Sequence, residues 1–385
     1  MRAKPNATSQ STWQASAPGR VNLIGEHTDY NFGFTLPMAI HRYTTITAES
    51  APTDDFLTFS SEMFPGSVVF SLDGSRCLSQ KTVPTWSRYL AGVVFELTKV
   101  GFSIPPMRIV VRSDVPLGAG VSSSASLEVA MAVLLQKVTG RYLSGLDTAL
   151  LCQLAEHQHV GVPCGLMDQL ASVSGMAGHL MLMDCRTNSI KQVALPPELA
   201  LIIVDSRVKH KLADGEYRQR HEQCQAACQL LKAISLRDVT LDDLQRCQNQ
   251  MPEMVFRRAR HVVTENGRTI EAASRILRQQ WQAVGELMYL SHESMRQDFE
   301  ISTPEIDSLV EIAHTIGEDQ GVFGSRMTGG GFGGSTVTLA LAESADSILE
   351  MIVKRYRLMT GIEIDGFVTQ PADGAYALHR QSAAS

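Results

Sequence analysis

Five glycines fall within the six residues 329–334, inside the run Met327-Thr-Gly-Gly-Gly-Phe-Gly-Gly-Ser335, directly before the strand-like stretch Ser335–Leu341. Glycine loses more backbone freedom on ordering than any other residue, so such a run neither propagates a helix nor holds itself as a strand. A simple turn needs one or two glycines. This many in succession points to a loop whose backbone is pressed against a ligand or against another segment of chain.

A second segment has a related character. Val115-Pro-Leu-Gly-Ala-Gly-Val-Ser-Ser-Ser-Ala-Ser-Leu-Glu128 follows the strand-like Met107–Arg112 and enters an Ala-, Leu- and Val-rich helix that begins near Ser123 and stops at Gly140. Glycines let backbone approach phosphate oxygens, and the free N–H groups of a helix start face an anion. Serine hydroxyls add donors and can supply an oxygen to Mg²⁺. The segment lacks the Gly-Lys-Ser/Thr ending of the common P-loop, and serines replace the third glycine of the dinucleotide fingerprint. A serine-capped helix following a turn fits the same residues.

The third segment, Ala17-Pro-Gly-Arg-Val-Asn-Leu-Ile-Gly-Glu-His-Thr-Asp-Tyr30, gathers Arg20, Asn22, Glu26, His27, Thr28 and Asp29 between Gly19 and Gly25. That density of donors and acceptors suits a polyol, whose hydroxyls do both. A polar surface turn accounts for it equally well when it is taken alone.

Bulk properties set the outer bounds. At 385 residues, two domains are expected. A net charge of −6 argues against a nucleic-acid surface and against attraction to an anionic membrane. No run approaches the roughly 18 apolar residues of a membrane span. Met1–Trp13 is polar, without a signal-peptide centre, so the cytoplasm is the expected compartment. Seven scattered cysteines are read as reduced thiols, since Cys224 and Cys228 have no second pair at zinc-like spacing. The first half mixes strands such as Tyr43–Glu49 with helices. After the strand-like Leu201–Val204 the chain turns helical over 216–234, 255–277, 280–294 and 304–316, with a last helix near 345–358. The change near residue 200 suggests two α+β units.

In order and spacing, the three segments resemble the three signature motifs of the GHMP small-molecule kinases. The run Pro18–Tyr30 is similar to the version particular to galactokinases, and Pro163-Cys-Gly-Leu-Met-Asp-Gln169, Asp184-Cys-Arg186 and Lys209-His-Lys-Leu-Ala-Asp-Gly-Glu-Tyr217 extend the likeness from about Gln14 to about Pro371. The resemblance implies a two-domain α+β GHMP fold with its active site in the interdomain cleft: a polar tail over 1–14, a sugar- and nucleotide-binding domain over 15–200, and a C-terminal domain over 201–385. It implies ATP as co-substrate, Mg²⁺ as cofactor and galactose phosphorylated at C1, in a monomer or weak homo-oligomer.

Carried over by motif, sugar contacts fall to Glu26, His27, Thr28, Asp29, Gly165 and Tyr217, and the chemistry to Asp168 with Arg20 as its cationic partner. The nucleotide falls to Gly118, Ala119, Gly120, Val121, Ser122, Ser123 and Ser124, with Trp86 and Tyr89 near the adenine, and Mg²⁺ to Ser124 and Glu156. Core packing on one helix face explains Trp86 and Tyr89 almost as well. An arginine beside a carboxylate weakens it as a base, so Asp168 is expected partly to orient the hydroxyl. His159 stands where the family often has Phe, and Ser335 where it often has Cys. His157 and His159, two apart, should point away from each other. Two other activities fit the pattern less well: the same chemistry on another sugar, such as N-acetylgalactosamine or a pentose, or a regulator that binds galactose and ATP with little turnover. Non-catalytic relatives lack part of the serine-alanine run that Ser122–Ser126 keeps.

Overall fold

The computed structural model describes residues 11–209 and 213–381; the N-terminal residues 1–10 and, within the stretch from Lys209 to Tyr217, positions 210–212 lie outside the described residues. The chain opens with β1 (Ser11–Asn22), β2 (Phe34–Thr35), β3 (Pro37–Ser50), β4 (Leu57–Ser61) and β5 (Ser67–Phe70). It continues through α1 (Thr85–Lys99), β6 (Met107–Ser113), α2 (Ser123–Thr139), α3 (Gly145–Ala155) and α4 (Met167–Ser174). β7 (His179–Asp184), β8 (Ser189–Ala194) and β9 (Leu199–Lys209) lead into α5 (Ala213–Leu231), α6 (Leu241–Arg246), α7 (Glu253–Leu277), α8 (Trp281–Ser294) and α9 (Pro304–Ile316). β10 (Val322–Thr328), β11 (Gly333–Leu341), α10 (Ala345–Thr360), β12 (Asp365–Thr369) and β13 (Tyr376–Gln381) complete it.

Period-two patterning sets the sheets. In β6, Met107, Ile109 and Val111 are buried while Arg108, Val110 and Arg112 face out. β6 lies in a six-stranded sheet of order β13-β1-β3-β6-β4-β5, which shares one core with α1 and α2, and α3 packs against those helices. β9 is apolar on both faces because it is covered on both. Ala200, Ile202 and Val204 meet α9 and α10, whereas Leu199, Leu201 and Ile203 meet α7 and α8. It is an inner strand of the sheet β10-β11-β9-β12, and β2-β7-β8 form a third, smaller sheet.

The helices expected from the sequence are present, with local shifts at their ends. α5 ends at Leu231 rather than 234, because Lys232 takes a left-handed φ of 52°. α9 has Thr303 as its N-cap and Pro304 in its first turn, and α10 stops at Gly361 with φ 72°.

Two features depart from a division into 1–14, 15–200 and 201–385. Ser11–Gln14 belong to β1 rather than to a tail, and β13 returns from the second half to pair antiparallel with β1, Ser11 opposite Gln381 and Ser16 opposite Tyr376. The backbone edge of β1 not used by β3 needs a partner, and β13 covers it, with Trp13 stacked on His379 at 5.3 Å. The halves also share one core. Val21, Leu23, Met38, Val115 and Val121 pack with Leu201, Ala272, Met288 and Val337.

Helix α8 reaches β10 through a backbone-to-backbone contact at Gly285 and Gly324, where a Cβ on Gly285 would lie 1.9 Å from the Phe323 carbonyl oxygen. Gly285→Ala should therefore destabilise by about 2 kcal/mol or more despite alanine's better helix propensity. Urea titration checks this, and an alanine variant as stable as the parent would contradict the packing.

Candidate active site

The three glycine-bearing segments meet backbone to backbone. A Cβ on Gly19 would lie 2.6 Å from the Val121 oxygen, and the neighbouring Arg20 N–H donates to that same oxygen at 3.1 Å. Gly329 sits against Gly120, where a Cβ would come within 3.0 Å of the Gly120 oxygen. Ser335 Oγ donates to Ala119 O at 2.6 Å, and Gly329 N donates to Glu26 Oε1 at 2.9 Å. The glycines are required because side chains would hold these loops apart.

Arg20 leaves the end of β1 and forks onto Asp168 in the first turn of α4: Nε donates to Oδ1 at 2.6 Å and Nη2 to Oδ2 at 2.8 Å. Its third arm, Nη1, donates to Gly120 O at 2.6 Å. Ser122 adds a hydroxyl hydrogen bond to Asp168 Oδ2 at 2.5 Å. Ser122 precedes α2 with φ 60° and makes no side-chain cap, so its hydroxyl serves Asp168 instead of the helix. His27 (φ 61°) and Phe332 (φ 60°) are left-handed as well, which gathers conformations that side chains resist around one cavity.

That cavity, of about 500 Å³, is lined by Arg20, Glu26, His27, Asp29, Ser124, Glu156, Gly165, Asp168 and Tyr217, and by Gly329–Phe332. Burial pushes Asp29 up to about 7, and the Asp168 charge adds to this. Gly165 is held against it so closely that a Cβ would overlap the Asp29 carboxylate. Burial lowers His27 to about 3, with His261 adding to the effect, so its ring is neutral. Its Nε2 faces the Gly330 carbonyl at 3.2 Å and must carry the hydrogen, which leaves Nδ1 to accept from the Tyr30 hydroxyl at 2.7 Å. Both ring nitrogens are engaged, so His27 shapes the wall, packed 5.2 Å from the Tyr217 ring.

Thr28, expected to touch the sugar, does not line the cavity. It is fully buried and its hydroxyl is directed to the Gly25 and Phe34 carbonyls, tying the two ends of the turn together. Of the glycine-serine loop, only Ser124 reaches the cavity. Ala119 and Val121 send their side chains into the shared core. Trp86 and Tyr89 also lie outside it on α1; Trp86 packs on the N-terminal core and stacks on Phe64 at 6.1 Å.

Glu156 opens a π-turn, Glu156–Val160, closed by Gly161 N donating to Glu156 O at 2.9 Å. The wide turn aims Glu156 into the cavity while His157 Nε2 meets Cys164 O at 2.8 Å and His159 Nε2 meets Glu96 Oε1 at 3.1 Å. The two histidines do point apart. Burial raises Glu156 to about 7, against hydrogen bonds from the Cys164 thiol and the Ser124 hydroxyl. The Ser124 hydroxyl and the Glu156 carboxylate in contact are two hard oxygen donors, of the kind and number that Mg²⁺ takes from protein beside phosphate and water.

Residues 6–50 match the model of the galactokinase galactose-binding signature, 88–176 that of the GHMP kinases N terminal domain, and 270–358 that of the GHMP kinases C terminal. Among solved structures, the galactokinase of Lactococcus lactis complexed with galactose superposes with a TM-score of 0.88 at 29% identity over 95% of both chains. The mevalonate kinase of Methanococcus jannaschii has TM-score 0.65 at 17% identity over 96% of this chain and 100% of its own, a likeness of fold. So does that of L. major in complex with R-mevalonate, at 0.65 and 19% over 97% and 100%.

Arg326, which sequence reasoning passed over, stands behind the part of the cavity wall formed by Glu26. It is fully buried on β10 and donates through Nη1 to Glu26 Oε1 at 3.3 Å and to the Asn22 and Leu23 carbonyls at 3.2 Å; Nη2 lies 3.9 Å from Glu265 Oε1. Burial opposes ionisation of Glu265, but Arg268, His261 and Arg326 hold it down at about 2. The only signal was one arginine in an otherwise uncharged strand beside a glycine run. Arg326→Met leaves two buried carboxylates short of a cation and should cost about 3–5 kcal/mol in denaturant unfolding. A loss below about 1 kcal/mol would mean that the network carries no such weight.

Proposed function

The chain belongs to the galactokinases of the GHMP kinase family, and from that premise we infer that its cleft moves the terminal phosphoryl group of ATP onto the C1 hydroxyl of galactose, giving galactose 1-phosphate and ADP. One observation carries the assignment of the chemistry. Asp168, clamped by Arg20 and Ser122, borders the same cavity as the segment that matches the galactose signature and as Ser124 in the first turn of α2.

The hydrogen-bond count on Asp168 defines its task. Its two oxygens offer about four acceptor sites. Arg20 Nε occupies one on Oδ1, and Arg20 Nη2 and Ser122 occupy those on Oδ2. The free position on Oδ1 accepts the sugar hydroxyl, turning its oxygen toward the phosphoryl group. In a loose transition state the proton leaves late, so holding that angle contributes more than basicity. Arg20 serves both partners, fixing the carboxylate and lending positive charge beside the transferred group. Glu26, Asp29, Gly165 and Tyr217 would meet the remaining sugar hydroxyls, and a wall built for one arrangement of hydroxyls rejects an epimer. Glu26 enters already braced by Asn22, Arg326 and Gly329.

Backbone N–H groups of Gly118–Ser124 would face the nucleotide phosphates at the start of α2. Ser124 and Glu156 would hold Mg²⁺, which supplies neutralisation of phosphate charge where no P-loop lysine is present.

Two experiments test this reading. In a coupled assay over a panel of free sugars, galactose should dominate, and Asp168→Asn should lower kcat by about 10²–10⁴-fold with galactose binding largely kept. Near-normal turnover of that variant, or a different preferred sugar, would overturn it. Asp29, raised to about 7, is neutral below that pH and ionised above it. With MgATP saturating, kcat/KM for galactose should therefore climb from about pH 6 to about pH 8 with an apparent midpoint near 7, a limb that Asp29→Asn removes. A flat profile in the parent enzyme would show that Asp29 is not the acceptor.

A further inference from the structure

The turn from Gly25 to Phe34, which bears Glu26, His27 and Asp29, is closed on itself. The Thr28 hydroxyl donates to the Gly25 and Phe34 carbonyls at 2.9 and 2.7 Å, and Gly33 N donates to Thr28 O at 2.8 Å. Such ties keep the shape of a turn but leave its tilt to whatever holds its ends. Three residues of α7, a helix of the second half, take three main-chain groups there. Glu265 Oε1 accepts from Gly25 N at 2.9 Å, His261 Nε2 meets Glu26 O at 3.2 Å, and Asn266 Oδ1 accepts from Phe34 N at 2.9 Å. None of the three lines the cavity.

The grip is built rather than incidental. His261 and Glu265 are one helical turn apart on one face of α7, with Asn266 beside them, and all three are buried. Glu265 is itself fixed, since Ser291 Oγ donates to its Oε1 at 2.6 Å and Arg268 Nε to its Oε2 at 2.7 Å. Burial lowers His261 to about 4, so its ring is neutral. The Glu26 carbonyl can only accept, so Nε2 carries the hydrogen and Nδ1 accepts from the Ser294 hydroxyl at 2.9 Å. The Phe299 ring lies 4.5 Å from the His261 ring and 4.7 Å from that of His27, joining the helix to the cavity wall. The helix comes closest at the two glycines near the ends of the turn. A Cβ on Gly33 would lie 2.2 Å from Asn266 Oδ1, and one on Gly25 3.0 Å from Thr269 Oγ1.

We propose that His261, Glu265 and Asn266 are positioning residues for the sugar: α7 grips the main chain at both ends of the Gly25–Phe34 turn and thereby sets the angle at which Glu26 and Asp29 face the cavity. Recognition of the sugar by the first half of the chain then depends on a helix of the second half that never touches it. A tilt at the ends of the turn is carried to its carboxylates, and displacement of a contact by about 1 Å is enough to cost on the order of 10²-fold. The proposal rests on the reading that this turn holds galactose.

Substitutions at two of the three points test it. Asn266→Leu keeps bulk but leaves Phe34 N without its acceptor. His261→Leu removes the donor to Glu26 O, whereas the side-chain amide of His261→Gln can still reach that carbonyl with an N–H. The readouts are the dissociation constant of galactose by calorimetry, the KM values for galactose and ATP, and thermal unfolding. Expected is a rise of about 10–100-fold in the galactose constants of Asn266→Leu and His261→Leu, with the KM for ATP kept and the galactose affinity of His261→Gln close to that of the parent. A merely structural role would lower the melting temperature and the active fraction while leaving the galactose constants of the folded protein unchanged, and that result would overturn the proposal. So would a parallel rise in the KM for ATP, which would mean that the whole cleft had loosened. A loss in His261→Gln as large as in His261→Leu would overturn the assignment of the Nε2 donor. The two positions hold opposite ends of the turn, so if one variant fails to fold the other still decides. Glu26→Gln, measured beside them, tests the underlying reading: galactose affinity retained there overturns the assignment of the turn to the sugar, whatever the α7 variants do.

Discussion

The contact of three loops through bare backbone, Gly19 on Val121 and Gly120 on Gly329, sets the positions of nearly everything else in the cleft. Backbone in contact with backbone leaves no side chain to adjust, so the separation of β1, the start of α2 and the β10–β11 turn is fixed by main-chain geometry. Arg20 leaves the first of these loops and closes on Asp168, carried by α4, while its spare arm returns to Gly120 in the second. Glu26 receives Gly329 of the third. The charged groups are therefore positioned by the glycines, although no glycine does chemistry.

Within that frame the electrostatics are lopsided. Asp29, Glu156 and Asp168 converge on a space where Arg20 is the cation bonded directly to one of them. Burial lifts Asp29 and Glu156 to about 7, and the Asp168 charge adds to both, so the acids of the cleft oppose one another's ionisation. A divalent cation and the hydroxyls of a sugar are the species that would make those carboxylates favourable as anions. On the opposite side, Arg326 lies against Glu26 and Glu265 and Arg268 pairs with Glu265, so the wall behind Glu26 carries its own counter-charges.

The motifs were legible because each is contiguous and chemically dense. Five glycines in six residues announce a close approach, and Arg20 to Asp29 announce a polar site, before any contact is known. Strand β9 was readable for a different reason: apolar on both faces, it had to be covered on both. What the sequence concealed was reciprocity. Thr28 carries the right hydroxyl in the right run, yet the turn itself consumes it. Ser122 looks like a helix cap and instead holds Asp168. Arg326 belongs to no polar cluster in sequence; it becomes a partner of the site only when strands and helices far apart in the chain meet. The return of β13 to β1 was hidden in the same way, since an open strand edge exists only once the sheet is built.

The shared core gives the cleft its stiffness. A site between two independent units would be only as fixed as the linker between them, whereas here Val21, Val115 and Val121 pack directly with Leu201, Ala272 and Val337 from the other half. That continuity is what lets His27, Ser122 and Phe332 remain in left-handed conformations, each costing about 1–3 kcal/mol in an unconstrained chain. Relaxing any one of them would turn a cavity-lining side chain, or the hydroxyl that anchors Asp168, away from the site. The packing that joins the two halves therefore supplies, at a distance, the precision that a phosphoryl transfer governed by positioning requires.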